Sequence, residues 1–219
     1  MKGAFSLRFS RSAETYERWA LPQRECARML VDMVKPRGLV LDLGCGTGFV
    51  SSFLPRDCRI VGVDISRGML VKYGGSFPKA VLGDAENLPF RNGSFNFVMS
   101  NFSLHWTDLS KSLKEAVRVA RLGVGVSIPV AGSLRELGFP FPTEEEVLNH
   151  LRDFETEAYT TDVPIPFTGW DLVRFFHYTG SSINPIRDRP LTRREVENLI
   201  NSLRKPRFRV LFLYVKLRS

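Results

Sequence analysis

The sequence predicts an α/β fold built on a mostly parallel sheet, and two observations carry this prediction. An apolar run, Leu39–Leu41, ends at Asp42 and is followed by glycines at positions 44, 46 and 48. A second apolar run, Ile60–Val63, ends at Asp64. A buried strand that ends in a glycine-rich turn and opens a helix gives the first pattern, and its repetition with an acid at the strand end is typical of parallel α/β sheets.

The chain before the first strand is predicted to be helical over about residues 5–35. A short helix is expected from about Ser12, and Leu21–Lys35 carries apolar residues at helical spacing. Pro36 and Gly38 then end the second helix and lead into the strand. The next two helices are expected after Gly48 and from Ser66 to about Lys72.

Alternating or continuous apolar runs predict the remaining strands. They are Ala80–Leu82, Phe95–Ser100, Val124–Val130, Phe154–Val163 and Phe208–Leu217. A helix with a clear apolar stripe is predicted over Leu109–Arg121, with Gly123 closing it.

Three later helices are predicted from pairs of residues with capping-box spacing. The pairs are Thr143 with Glu146, Thr168 with Asp171, and Thr192 with Glu195, for helices at about 144–152, 169–178 and 193–204. The segment 164–205 is longer than a strand connection requires, so we predict that it forms a helical lid.

Size and composition favour one domain over residues 1–219. No apolar run approaches the ~20 residues of a membrane helix, and the first residues do not have the pattern of a signal peptide. Cys26, Cys45 and Cys58 have no metal-ligand spacing and are interpreted as reduced thiols. We therefore expect a cytoplasmic protein without a membrane or metal site, and a monomer.

The net charge of +8 is concentrated late in the chain, from Arg187 to Arg209. A basic surface of this kind suits an acidic partner, or it is only a solvated face. Nucleic acid is the less favoured partner, because no Asn-Pro-Pro-Tyr-like tetrapeptide follows the fourth strand.

Three acids at the ends of three consecutive predicted strands indicate the ligand. Asp42, Asp64 and Asp84 suit a cationic nucleoside better than a pyrophosphate, which they would repel. A carboxylate at position 64 can accept hydrogen bonds from two ribose hydroxyls, and one at position 84 can bind an adenine amino group.

The chain resembles the class I S-adenosylmethionine-dependent methyltransferases. Four segments carry this resemblance: LDLGCGTG, GVDIS, GDAENLPF and FNFVMSN. The resemblance implies a Rossmann-like sheet with an antiparallel last strand and S-adenosylmethionine as cofactor. It implies that Asp64 holds the ribose, Asp84 the adenine edge and the Gly44–Gly48 loop the amino-acid end. The full set expected at the cofactor is Asp42, Gly44, Cys45, Gly46, Gly48, Asp64, Ile65, Asp84, Ala85 and Asn101.

A closer resemblance is carried by FSRSAETYERWALPQRE, SNFSLHW, GSLREL and FFHYTGSSINPIRDRPLTRREVENLI. These segments are similar to the malonyl-acyl-carrier-protein O-methyltransferases of biotin synthesis, which methylate the free carboxylate of a malonyl thioester. The resemblance implies that Tyr16 lies over the methyl donor, with Arg11 in the same segment, and that Arg187 binds the carboxylate. It also implies that Arg193, Arg194 and Lys205 meet an acidic acyl carrier protein.

Other interpretations stay open from the residues alone. His105 follows the fourth strand, either as a catalytic or as a packed histidine, and Arg135 and Arg189 are further candidates for an anion. A methyltransferase acting on a quinone or organic acid would have the same cofactor half, about residues 38–130. A non-catalytic module that binds S-adenosylmethionine or a partner is the alternative from another class.

Overall fold

The structure is a computed structural model that describes residues 2–77, 79–181 and 192–217, with side chains from Ser6 onward. Within these residues, seven strands form one sheet of order β3-β2-β1-β4-β5-β7-β6. The strands are β1 Leu39–Leu43, β2 Arg59–Asp64, β3 Ala80–Leu82, β4 Phe95–Asn101, β5 Ala120–Pro129, β6 Glu155–Pro164 and β7 Arg207–Lys216. The first five strands are parallel, and β7 runs antiparallel to both β5 and β6.

Helices cover both faces of this sheet. They are α1 Lys2–Trp19, α2 Leu21–Val34, α3 Phe49–Phe53, α4 Arg67–Gly74, α5 Leu109–Val119, α6 Glu144–Asn149, α7 Gly169–Tyr178 and α8 Arg193–Ser202. One hydrophobic cluster joins the sheet to α5 and α6, and the other joins it to α2, α3 and α7. Successive residues of a strand point to opposite faces, so Leu41 belongs to the first cluster and Val40 to the second.

The strand order reverses at β1, which lies between β2 and β4. In open α/β sheets the crevice outside the carboxyl ends of the strands at such a point is where ligands bind. The residues that follow β1, β2, β3 and β4 therefore meet at one edge of the sheet, as the acids at these strand ends predicted.

The boundary between α5 and β5 differs from the prediction. The helix ends at Val119, and Ala120 already begins the strand. Gly123 does not close the helix; it pairs with Lys216 of β7. A Cβ at position 123 would lie 2.6 Å from the ring of Tyr214, so this glycine allows the two strands to approach.

Two of the three predicted capping boxes form. Thr143 with Glu146 and Thr192 with Glu195 make both reciprocal hydrogen bonds. Thr168 makes no side-chain cap, and the carboxylate of Asp171 instead accepts a hydrogen bond from Arg174 at 2.6 Å. Its helix α7 begins with Gly169 at a φ of +55°.

The predicted lid, 164–205, contains residues 182–191, which lie outside the described part of the chain. Within the described part, Leu172 and Phe175 of α7 are buried in the second hydrophobic cluster. This helix is therefore part of the body of the fold, and a closing lid stays a prediction. In the described residues, no helix is long and apolar enough to cross a bilayer.

Candidate active site

The glycine loop after β1 needs the conformations that glycine provides. Gly44, Gly46 and Gly48 have positive φ angles of 68°, 53° and 103°. A Cβ at Gly44 would collide with Ser103 Oγ, whereas a Cβ at Gly46 would meet no atom within 4 Å. Gly44 therefore permits close packing against the loop after β4, and Gly46 leaves space open in front of the loop.

Asp64 lies at the carboxyl end of β2 and faces this open space. Its Oδ2 accepts a hydrogen bond from the Gly46 N–H at 2.9 Å, and its Oδ1 accepts one from the Ser66 N–H at 2.8 Å. Burial raises the pKa of Asp64, although these backbone donors oppose the shift. Each carboxylate oxygen keeps a further lone pair for a ligand.

Asp84 follows β3 at the same edge of the sheet. Its Oδ1 accepts a hydrogen bond from the Glu86 N–H at 3.0 Å, which fixes the turn that carries it. Ile65 and Ala85, the residues after the two acids, line the same space.

These residues enclose a cleft of about 820 Å³, including the part open to solvent. The lining comprises Phe9, Tyr16, Leu43, Gly44, Gly46, Val63, Asp64, Ile65, Met69, Gly83, Asp84, Ala85, Asn101, Phe102, Ser103, Trp106 and Thr107. No lysine or arginine is among these described residues, so the lining suits a cationic ligand.

Asn101, at the end of β4, is braced from both sides. Its Nδ2 donates to the backbone oxygen of Gln23 at 2.9 Å, and its Oδ1 accepts from Ser127 Oγ at 2.5 Å. Asn101 lines the cleft, and these two hydrogen bonds connect the cleft to α2 and β5.

Asp42 does not line the cleft, although the sequence placed it beside the ligand. Its side chain is buried under the glycine loop, where Oδ2 accepts from Ser51 Oγ at 2.7 Å and from the Ser51 N–H at 3.1 Å. Tyr73 extends this network to Ser51 with an O···O distance of 2.8 Å. Burial raises the pKa of Asp42 to about 7. The acid therefore anchors α3 beneath the loop.

Cys45 and Gly48, also expected at the ligand, do not line the cleft either. Cys45 is buried, and this burial raises the pKa of its thiol well above the ordinary value, which favours the interpretation as a filler residue. Gly48 packs against the connection between α4 and β3, since a Cβ there would lie 2.6 Å from the ring of Phe77.

Helix α1 covers the cleft. Ser10 Oγ lies 2.9 Å from Ser66 Oγ and accepts a hydrogen bond from the Gly68 N–H at 3.1 Å. Tyr16 stacks on Phe49 with ring centroids 5.8 Å apart, and burial together with the charge of Asp64 raises the pKa of its phenol. Tyr16 therefore lines the cleft, and its place over a methyl donor stays a prediction.

A second cavity, of about 410 Å³ when the part open to solvent is included, adjoins the cleft. It shares Phe9, Tyr16, Phe102 and Trp106 with the cleft and is otherwise lined by Gln23, His105, Leu134, Phe139, Phe141, Phe176, Thr179, Ser181 and Phe208. Phe102 lies between the two spaces with a φ of +51°, a strained conformation for a bulky residue that is found most often at functional sites.

His105 lies in this second cavity among aromatic rings. Its ring is 4.8 Å from Trp106 and 5.7 Å from Phe141, measured between centroids. Burial lowers the pKa of His105 to about 3, so its imidazole is neutral at physiological pH. It is suited to a hydrogen bond rather than to taking a proton.

The predicted basic residues that the structure describes do not line the cleft. Arg187 and Arg189 lie outside the described residues. The side chains of Arg11, Arg135, Arg193, Arg194 and Lys205 are exposed to solvent. Within the described residues, no group of three or more histidines, cysteines or acids is arranged to hold a metal ion.

Sequence reasoning missed Phe9, Phe102 and Gln23, although His105 was recognised after the fourth strand. These residues come from α1, α2 and the loop after β4, and only the packing of these elements brings them together. The positive φ of Phe102 leaves no signal in the sequence.

Comparison with known proteins agrees with this geometry. The family described as "Methyltransferase domain" matches residues 41–126, which span β1 to β5. Residues 41–126 are therefore similar to this domain, and the whole sheet has the class I Rossmann-like fold of the solved structures that follow. A putative methyltransferase from an antibiotic biosynthesis pathway of Anabaena variabilis superposes with a TM-score of 0.68 at 18% identity, covering 87% of this chain and 96% of that one. A SAM-dependent methyltransferase of Thermotoga maritima gives a TM-score of 0.61 at 22% identity, covering 96% and 98%.

Curated relatives of the methyltransferase domain are named malonyl-[acyl-carrier protein] O-methyltransferase. The Yersinia pestis protein is 35% identical over 70% of this chain and 60% of its own length. The Hamiltonella defensa protein is 34% identical over 70% of this chain and 64% of its own length. The chain thus spans less than two thirds of the length of these relatives.

Proposed function

We propose that this protein is an S-adenosylmethionine-dependent O-methyltransferase. The observation that carries the proposal is the acid-lined cleft in front of the glycine loop. Asp64 and Asp84 line it, and no basic side chain does so among the described residues. A sulfonium nucleoside is a cationic ligand that this lining would attract.

In this proposal, Asp64 accepts the ribose hydroxyls and Asp84 the adenine amino group. The Gly44–Gly46 loop and Asn101 face the amino-acid end, and Ile65 and Ala85 pack against the base. When bound, the cofactor supplies a methyl group that is already activated on sulfur. The protein's tasks are then to orient the acceptor in line with that methyl group and to exclude water.

We further propose that the acceptor is the free carboxylate of a malonyl thioester on acyl carrier protein, in biotin synthesis. Relatives at 33–35% identity carry this activity in their names. The pKa of His105 also supports a carboxylate acceptor, because a histidine with a pKa of about 3 is a poor base at neutral pH. A carboxylate, with a pKa of ~4, needs no proton removed.

Three residues are proposed to act on the acceptor. Tyr16 lies in both the cleft and the second cavity, so it can contact a group that passes from one to the other. We propose that His105 positions the acceptor as a neutral ring, and that Arg187 binds the carboxylate. Arg193, Arg194 and Lys205 are proposed to meet the acidic carrier protein, and we place the enzyme in the cytoplasm as a monomer.

The test is a methyl-transfer assay with labelled S-adenosylmethionine. Malonyl-acyl carrier protein, malonyl-coenzyme A and free malonate are offered in parallel, and a base-labile methyl ester is measured. We expect ester formation on the malonyl thioesters, fastest on the carrier protein. Label on none of them would reject the acceptor, while binding of S-adenosylhomocysteine by calorimetry tests the cofactor separately.

A second candidate acceptor is favoured by the aromatic lining of the second cavity. Phe102, Phe139, Phe141 and Phe176 surround it and would suit a small apolar or aromatic molecule. A quinone or aromatic acid that is methylated faster than the malonyl thioesters would favour this alternative.

A further inference from the structure

Two residues that line the second cavity each have a buried polar side-chain atom without a hydrogen-bond partner in the described part of the chain. Gln23 Oε1 and His105 Nδ1 are both buried and unpaired among the described residues. The Gln23 side chain belongs to a residue that is only 5% exposed. Because leaving a buried amide unpaired costs free energy, such a group in a cavity indicates a ligand that supplies the missing hydrogen bond.

Gln23 is held in place by its neighbours. Its backbone oxygen accepts the hydrogen bond from Asn101 Nδ2 at 2.9 Å, and Asn101 itself lines the cofactor cleft. The residue lies in the first turn of α2, and Ala20, the N-cap residue, provides no side-chain cap. The N-terminal end of a helix carries a partial positive charge, which favours an anion near its first turn.

The chemistry of the two unpaired groups selects the ligand. A glutamine amide can present its NH2 to the cavity by rotation, and a neutral histidine can donate from Nδ1 in one tautomer. Two neutral donors in an aromatic pocket suit a small carboxylate whose carbon atoms pack against the rings. No acidic residue is among the described residues that line this cavity, so none repels the anion.

We propose that Gln23 is a positioning residue that donates a hydrogen bond to the carboxyl group of the acceptor in the second cavity, with His105 as the second donor. This inference rests on the proposed function, in that the acceptor is a carboxylate. It adds a determinant from α2 to the carboxylate site, for which the sequence offered only arginines, with Arg187 preferred over Arg135 and Arg189.

The test uses Gln23→Leu in the full chain. The variant removes the unpaired amide, so the melting temperature of the ligand-free protein is expected to rise by a few degrees. The affinity for malonyl-pantetheine, measured by calorimetry with S-adenosylhomocysteine present, is expected to fall about tenfold or more because a hydrogen bond to a charged group is lost. A residue with a purely structural role would instead lose stability.

Thr160→Val is the matched control. Thr160 Oγ1 on β6 is also buried and unpaired among the described residues, but Thr160 lines neither cavity. We expect this variant to be stabilised with no change in affinity for malonyl-pantetheine. Gln23→Glu places a negative charge beside the carboxylate and is expected to weaken binding further than Gln23→Leu.

The outcomes separate this inference from the proposed function. Weaker binding by Gln23→Leu supports the role of Gln23 even if the wild-type protein transfers no methyl group. Unchanged affinity, or no binding of malonyl-pantetheine to the wild type, would overturn it. Methyl transfer by the wild type with unchanged affinity of the variant would leave the proposed function standing without Gln23.

Discussion

Asp64 is the single side chain on which the proposed cofactor site most depends. Its oxygens already accept two backbone hydrogen bonds and face the cleft. We expect Asp64→Ala to weaken the binding of S-adenosylhomocysteine at least tenfold, because hydrogen bonds to a charged group contribute ~1.5–3 kcal/mol each. Isothermal titration calorimetry measures the change.

Asp57→Ala is the control for this prediction. Asp57 is exposed and comes just before the amino end of β2, whereas Asp64 is at the carboxyl end of that strand. Its removal should leave the affinity unchanged, and circular dichroism should show that both variants fold. Equal affinities of the Asp64 and Asp57 variants would remove Asp64 from the cofactor site.

The burial of Asp42 makes folding depend on pH. Its pKa is about 7 in the folded protein, against ~3.9 in the unfolded chain. Between these values the folded state holds a proton that the unfolded state has released, so the free energy of unfolding falls as the pH rises. We expect Asp42→Asn to gain about 2–3 kcal/mol over wild type between about pH 5 and pH 8. Urea unfolding of both proteins at the two pH values measures this gain.

Comparing the two proteins isolates Asp42. His105, whose pKa is lowered to about 3, contributes a slope of opposite sign, because its unfolded form takes up a proton below ~6.5. Both proteins contain His105, so its contribution cancels in the difference. A stability difference that stays constant over this range would mean that Asp42 is ionised throughout.

At this scale the sequence predicted which acids gather at the sheet edge but not where each side chain points. Asp64 and Asp84 line the cleft, whereas Asp42 is turned toward Ser51 of α3. The strand pattern specifies an acid at a strand end. The direction of the acid's side chain depends on which hydrogen-bond donor the following helix brings close, and packing determines which donor that is.

At the scale of elements, helix and strand cores were predicted well, but α1 begins at Lys2 rather than near Ser12, and the junction of α5 with β5 was wrong. The apolar residues of α5 keep their helical spacing past Val119, but β7 pairs with β5 from Gly123 onward. These hydrogen bonds come from residues that lie far away in the sequence. Local periodicity therefore could not locate the end of α5.

The contact between α1 and α4 depends on a glycine. A Cβ at Gly68 would lie 2.6 Å from both Cα and the backbone oxygen of Ser10. Gly68→Ala should therefore push α1 away from α4 even though alanine favours helix formation. We expect faster proteolysis within α1 and an affinity for S-adenosylhomocysteine that is about threefold to tenfold weaker, as α1 carries Phe9 and Tyr16 to the cleft. Limited proteolysis and calorimetry measure the two effects.

Gly74→Ala is the matched control in the same helix. A Cβ at Gly74 would meet no atom within 4 Å, so this variant changes helix propensity without touching α1. It should keep the wild-type cleavage pattern and affinity. If Gly68→Ala behaves in the same way, α1 does not need this close contact to cover the cleft.

At the scale of the whole molecule, the cofactor half could be predicted from the sequence, whereas on the acceptor side only Tyr16 and His105 were named in advance. The cleft is built from strand ends that each carry a local motif. The second cavity joins residues from Phe9 to Phe208, and its aromatic residues resemble any other core residues in the sequence. Only the assembled sheet and helices distinguish a cavity wall from a core.

The distribution of charge over the molecule leads to the last prediction. Arg193 and Arg194 are exposed on α8, and the Arg193 side chain is 84% exposed in its ion pair with Glu197. An ion pair this exposed contributes little to stability, so charge reversal here should not unfold the protein. We expect the double change to glutamate to lower kcat/KM for malonyl-acyl carrier protein about tenfold or more, because attraction to an acidic partner speeds association. Turnover of malonyl-coenzyme A, which is small, should change less.

The double change of Arg56 and Arg121 to glutamate is the control, since both are exposed at the edge of the sheet where β2 and β5 begin, and it alters the net charge equally. Kinetics at low and high salt measure these changes. An equal loss of kcat/KM in the two double variants, or an equal loss for the carrier-protein and coenzyme A substrates, would mean that total charge rather than α8 governs the encounter.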